Sequence, residues 1–215
     1  MGKVYIYVVD RDFGFAPNPF HGYCTLATCK PEIRKGATVD DWVIGMGGRR
    51  LRATGCCIFA MCVTKKITFD EYWANPDYRD KKPVRNGSNK MMVGDNIYHR
   101  AEPNKKWHQA DSHHSLADGS INTDNLKRDT KTNAVLISKN FFYFGNSAPV
   151  IPQSILDAIG FKNGIGHRVF DIADCDKLFS WLRSQHGRSL NMVAGDPFDF
   201  GDSNLRYSVR NNKIS

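Results

Sequence analysis

The chain has no Cys-x-x-Cys pair, no His-x-x-x-His, no Gly-x-x-x-x-Gly-Lys loop and no Gly-x-Gly-x-x-Gly behind a strand. These absences count against standard zinc sites, zinc proteases, P-loop enzymes and dinucleotide-binding folds, each of which needs its ligands or phosphate cradle at that spacing. Long apolar runs are missing too, and none nears the ~18 residues of a membrane span. The opening MGKVYIYVVD has neither an extended apolar stretch nor a small-residue cleavage site. The expectation is a cytoplasmic protein without a membrane partner.

Cysteine is sparse and irregularly spaced: Cys24, Cys29, Cys56, Cys57, Cys62 and Cys175. Cys56 and Cys57 sit in an apolar run and read as strand filling. Cys24 and Cys29 with His21 fit no standard zinc spacing, so reduced thiols are expected, with no metal and no cofactor.

What is present suffices for a core. The 215 residues are 41% hydrophobic and 24% charged, near globular averages. The net charge of +8 favours polyanionic partners. Arg49, Arg50 and Arg52 follow Gly47-Gly48, a composition that suits either phosphate contact or a solvated turn.

Alternation predicts strands at 4–9, 23–29, 42–46, 56–63, 134–138 and 141–144. Residues 31–35 read as a turn. Thr68 before Phe69, Tyr72 and Trp73, with Pro76 beyond, predicts a short capped helix. Further helices are expected at 153–159, ended by Gly160, and at 175–185, ended by Gly187. Residues 81–129 form a polar stretch too long for an ordinary connection, a kind that is either disordered or functional. With no repeat and no flexible linker, residues 1–215 are expected to be a single domain. It would have a strand-rich part over 1–152, a helical part over 153–199 and a loosely held tail over 200–215.

Two segments gather chemistry-bearing residues without a packing pattern. Residues 10–34 combine Phe13, Phe15 and Phe20 with Asn18, Lys30 and Arg34, a mixture able to stack a base, bond its edge and neutralise phosphate. Residues 94–115 hold Asp95, Tyr98, His99, Arg100, Trp107, Gln109, Asp111, Ser112, His113 and His114. Histidines at this density permit acid–base catalysis, metal binding or base-edge recognition. Asp111, Ser112 and His113 suggest a hydrolase triad, but triad members normally converge from separate segments.

The stretches RDFGFAPNPFHGYCTLATCKPEIR, DDWVIGMGGRRL, FAMCVTKKITFDEYW, GDNIYHR and VLISKNFFYFGNSAPVIP resemble the second of the nucleotide modification associated domain families, known from bacteria and phages. The resemblance runs from residue 4 to about residue 152 and implies a role beside DNA or nucleotide base modification. More remotely, residues 41–45 with the buried strand and FDEYW are similar to PUA-like domains of the EVE and YTH kind. That likeness implies an α+β fold, a mixed barrel with flanking helices, and an aromatic pocket for a modified base.

Three readings follow. The first is a binding module whose partner is nucleic acid or a nucleotide, with a base held by Phe13, Phe15, Asn18, Phe20, Trp42, Tyr98, Arg100, Trp107, Gln109 and Ser112. Lys30, Arg34, Arg49 and Arg50 would serve the phosphates. The second is an enzyme using His99, His113 or His114 with Asp95 or Asp111. The third is a scaffold for other proteins of a modification or phage-defence system.

Overall fold

The computed structural model describes residues 2–214. In chain order its strands are β1 (Lys3–Val9), β2 (Cys24–Leu26), β3 (Trp42–Gly47), β4 (Cys57–Cys62), β5 (Lys65–Ile67), β6 (Tyr98–His99), β7 (His108–Gln109), β8 (Val135–Ser138), β9 (Asn140–Tyr143), β10 (His167–Asp171), β11 (Tyr207–Ser208) and β12 (Lys213–Ile214). The α-helices are α1 (Pro31–Gly36), α2 (Phe69–Ala74), α3 (Asn89–Met92), α4 (Thr123–Asp129), α5 (Gln153–Ile159) and α6 (Asp176–His186). Contacts group the chain into two compact units. The first comprises Met1–Asp12, Ala37–Lys65 and Ser138–Phe198; the second comprises Phe13–Gly36, Lys66–Ile137 and Asp199–Ser215.

The first unit is built on a five-stranded sheet in the order β10-β1-β3-β4-β9. β1 and β3 run parallel and the other neighbours antiparallel. Alternation sends Val4 and Ile6 of β1 and Trp42, Ile44 and Met46 of β3 into one apolar core. The stripe Leu178, Phe179 and Leu182 of α6 and Leu156 and Ile159 of α5 close that core. Trp42 meets Phe179 there with ring centroids 4.8 Å apart. Gly45 is required beside this layer: a Cβ on it would stand 2.2 Å from the Phe59 ring.

The second unit holds the three-stranded sheet β2-β8-β5 and the short ladders β6-β7 and β11-β12. Phe13, Phe15, Phe20, Phe69, Tyr72, Ile97 and Tyr98 form its apolar core. It also buries charge of both signs, with Arg34, Lys81, Asp95 and Asp129 all fully enclosed. Lys81 Nζ donates to the carbonyls of Asn18 and Tyr23 and to Asn18 Oδ1. Burial lowers the Lys81 pKa to about 8 against the pull of Asp95.

The fold is thus a mixed α/β arrangement. The sheets among the described residues stay open, so the expected PUA-like barrel is not found. α2 begins as its sequence predicts, with Thr68 and Glu71 capping each other reciprocally. α5 ends at Gly160 in the left-handed conformation, φ 72°. The strand expected over 23–29 shrinks to β2 and leaves Cys29 in a loop, and the turn expected at 31–35 is α1. The polar stretch 81–129 contains α3, β6, β7 and α4. No helix among the described residues is long and apolar enough to cross a membrane.

Candidate active site

In the second unit α4 presents two polar residues one turn apart. Asn122 caps the helix by accepting from Asn125 N–H at 3.1 Å. Asn125 and Asp129, at i and i+4, then share the buried face. Asn125 Nδ2 donates to the His114 carbonyl at 2.9 Å, as does Gln109 Nε2. Asp129 grips the same residue by its ring: His114 Nδ1–H donates to Oδ2 at 2.7 Å. Tyr98 Oη–H donates to that oxygen at 2.9 Å, and Cys29 N–H donates to Oδ1 at 2.8 Å. On the opposite edge of the imidazole, His114 Nε2 lies 3.8 Å from Cys29 Sγ. Thiol, imidazole and carboxylate therefore form one compact cluster, with ligand atoms within 4.8 Å of one another.

The cysteine loop is fixed as firmly as the histidine. Arg34 of α1 donates to the carbonyls of Cys29, Thr132, Ala134 and Asp129, tying the thiol loop to the end of α4. Cys29 and Lys30 adopt left-handed backbone, φ 56° and 38°, which costs on the order of 1 kcal/mol each for residues with a Cβ. The Cys29 N–H bond to Asp129 helps hold that conformation. Cys29 is half-buried, whereas His114 and Asp129 are 3% and 0% exposed.

The two adjacent histidines are held in opposite protonation states. Burial disfavours charge on His114, but the Asp129 carboxylate and the Cys29 thiol outweigh it and lift its pKa to about 10. Asp129 shows the complement: burial pushes its pKa up, yet His114 and Arg34 hold it below the usual carboxylate range. Burial and the neighbouring His114 drive His113 down to about 3. Its Nδ1–H donates to the Leu205 carbonyl at 2.7 Å, which fixes the neutral tautomer. Phe13 packs 4.5 Å from the His113 ring, and Phe15 packs 4.7 Å from His114.

A strap from residues 205–209 completes the enclosure. Tyr207 N–H donates to the His113 carbonyl at 2.8 Å, and the Tyr207 ring lies 5.7 Å from His114. Val209 N–H donates to Asn125 Oδ1 at 2.9 Å. The tail expected to be loosely held is thus engaged in the site.

Cys29, His114 and Asp129 offer ligand atoms within 4.8 Å of one another. Zinc wants four such donors. Here both Asp129 oxygens already accept hydrogen bonds. Three donors, one of them a carboxylate already occupied in this way, fall short of that set.

The family model of nucleotide modification associated domain 2 matches residues 1–204. The chain belongs to this family. No curated protein and no solved structure matches it. The family match stops one residue short of the strap, so in this nucleotide modification associated domain the cover over His113 and His114 lies beyond the matched region.

The other residues read from the sequence are distributed as follows. Phe13, Phe15 and Phe20 are core rings. Asn18 is fully buried, donating to the Val93 carbonyl and accepting from Lys81. Trp42 belongs to the first unit's core, and Arg34 is an internal brace bonded to four backbone carbonyls. Arg49 and Arg50 are exposed in the first unit, and Lys30 is half-buried beside Cys29. Arg100 pairs with Asp70 at 2.6 Å and covers Trp107. Asp95 is sealed in, accepting from Thr25 and Tyr72, with burial raising its pKa. The local triad does not form: Asp111 pairs with Arg206, and Ser112 Oγ accepts from His114 N–H. His99 stacks on Trp73. Of the predicted acid–base candidates, His114 is the one that meets both a thiol and a carboxylate. Its partners, Cys29 and Asp129, were missed because they lie 85 and 15 residues from it along the chain.

Proposed function

We propose that the protein is a cysteine-dependent acyl-transfer enzyme of a nucleotide-modification system. The observation that carries this reading is the cluster in which His114 Nε2 lies 3.8 Å from Cys29 Sγ while its Nδ1–H donates to Asp129 at 2.7 Å. The Asp129 carboxylate on Nδ1 fixes the orientation and tautomer of the His114 ring beside sulfur. The thiolate attacks a carbonyl carbon; the S–C bond forms and the carbonyl π pair moves to oxygen. Collapse restores the carbonyl and breaks the bond to the leaving nitrogen or oxygen, which takes the proton from His114 Nε2. Water or an amine then resolves the thioester, giving a proton to His114 as sulfur departs. The substrate is a nucleotide or nucleic acid carrying a carbonyl-linked group, as the family's name suggests.

Two observations favour this over a reader of modified bases. Phe13 and Phe15 are already packed on His113 and His114, and no barrel supplies the pocket that a PUA-like reading needs.

The test is thiol chemistry. Iodoacetamide should label Cys29 ahead of the other cysteines, and His114→Ala should slow that labelling by about 10²-fold. Amide- or ester-bearing nucleosides should leave an acyl adduct on Cys29, trapped by intact mass, which Cys29→Ser cannot form. Equal labelling of all cysteines, or stoichiometric zinc lost on Cys29→Ser, would overturn the reading.

A further inference from the structure

The β6-β7 ladder pairs Tyr98 with Gln109 and His99 with His108. Successive strand residues point to opposite faces. The first pair turns toward Asp129 and the His114 carbonyl. The second turns away and builds a column of rings. His99 lies on Trp73 of α2 with centroids 3.9 Å apart and planes 5° from parallel, and His108 lies on His99 at 5.1 Å and 21°. Lys82 Nζ sits 3.8 Å from the Trp73 centroid. Three separate stretches of chain are thus ordered into one cation-and-ring stack.

The column ends in the open. Trp73 and His99 are half-buried, but His108 is exposed. Lys105 and Lys106, both exposed, lie three and two residues before it with Trp107 between, and Glu102 is 4.0 Å from Lys105 as the acidic neighbour. Asp70, the other nearby carboxylate, is taken by Arg100. Burial, His108 and Lys82 lower the His99 pKa, which keeps the inner ring neutral.

We propose that His108 is a stacking platform for an unpaired base of single-stranded nucleic acid, whose phosphates meet Lys105 and Lys106. A flat π-face beside paired lysines matches a ligand that is planar and anionic at once. A duplex keeps its base faces inside the stack and does not offer one. This surface is independent of the thiol chemistry, since it occupies the opposite face of the hairpin.

The experiment is anisotropy of a labelled oligodeoxythymidylate at physiological ionic strength, with the full chain. His108→Ala should weaken binding about tenfold, while His108→Trp, which restores a ring, should match or exceed the wild type. Annealing the oligonucleotide to its complement should weaken binding by a similar factor. Cys29→Ser should bind as the wild type does, so loss of the enzyme reading and loss of this one are separable. Because His108 is exposed, its replacement leaves the core untouched, and far-ultraviolet circular dichroism verifies that. Wild-type affinity in His108→Ala, or equal binding of single strand and duplex, overturns the proposal.

Discussion

The two units solve the problem of burial differently. In the first, shape dominates: rings and aliphatic side chains from the sheet meet α5 and α6, and its enclosed polar groups are Asp12, Asp41 and Ser138. Each of these serves a local join. Asp12, for example, accepts from Tyr143 Oη–H at 2.6 Å. In the second, pairing dominates: Arg34, Lys81, Asp95, His113, His114 and Asp129 are all enclosed and tied to one another, to hydroxyls or to backbone carbonyls. An apolar core tolerates a lost contact as a cavity, whereas a polar core left with one partner missing exposes an unsatisfied group to a medium that cannot solvate it. The unit that is more fragile in this sense is the one that holds the candidate site.

The largest effect should come from breaking the polar side. Arg34→Met leaves four carbonyls without their donor and should cost about 3–5 kcal/mol in urea unfolding, with rapid labelling of Cys29 lost as its loop loosens. A loss under about 1 kcal/mol would mean the guanidinium is no brace. Next comes the apolar side. Leu182→Ala should cost about 3 kcal/mol yet leave the iodoacetamide rate at Cys29 within about twofold of wild type, because the cavity opens in the other unit. A parallel collapse of thiol reactivity would erase the contrast drawn here.

The smallest effect is one of pH, at most about 1.4 kcal/mol per pH unit for each group. His114, raised from 6.5 to about 10, contributes stability that is complete below pH 6.5 and is lost as pH climbs toward 10. His113, depressed from 6.5 to about 3, contributes stability that is present above pH 6.5 and is lost as pH falls toward 3. His113→Phe should therefore flatten the acid limb of a stability-against-pH curve and leave the alkaline limb unchanged. An unchanged acid limb would show that His113 is not held neutral.

Legibility followed the same division. The first unit's strands and its two helices were readable because apolar periodicity writes them directly: β1, β3, α5 and α6 fall within a residue or so of their expected places. β10 was not, since its residues are half-buried or exposed and lack alternation. In the second unit the polar stretch 81–129 looked structureless because its order comes from side-chain bonds, as with Asn122 and Asn125, and these leave no period in the sequence. His113 and His114 were singled out together, yet nothing local distinguishes them. Asp129 and Cys29, brought in by folding, decide which one is charged. Arg34 was read as a phosphate ligand because a sequence cannot show that carbonyls surround it.

The β6-β7 ladder has a bearing on how this chain can change. Its two pairs serve different faces, so a slip of one residue would send His99 inward and Tyr98 outward, undoing both at once. Residues 100–107, by contrast, can lengthen at an entropic cost that grows only slowly with loop size, provided Tyr98 still faces Gln109. Insertions should therefore collect in that loop among functional variants, and a single deletion inside the ladder should be absent from them.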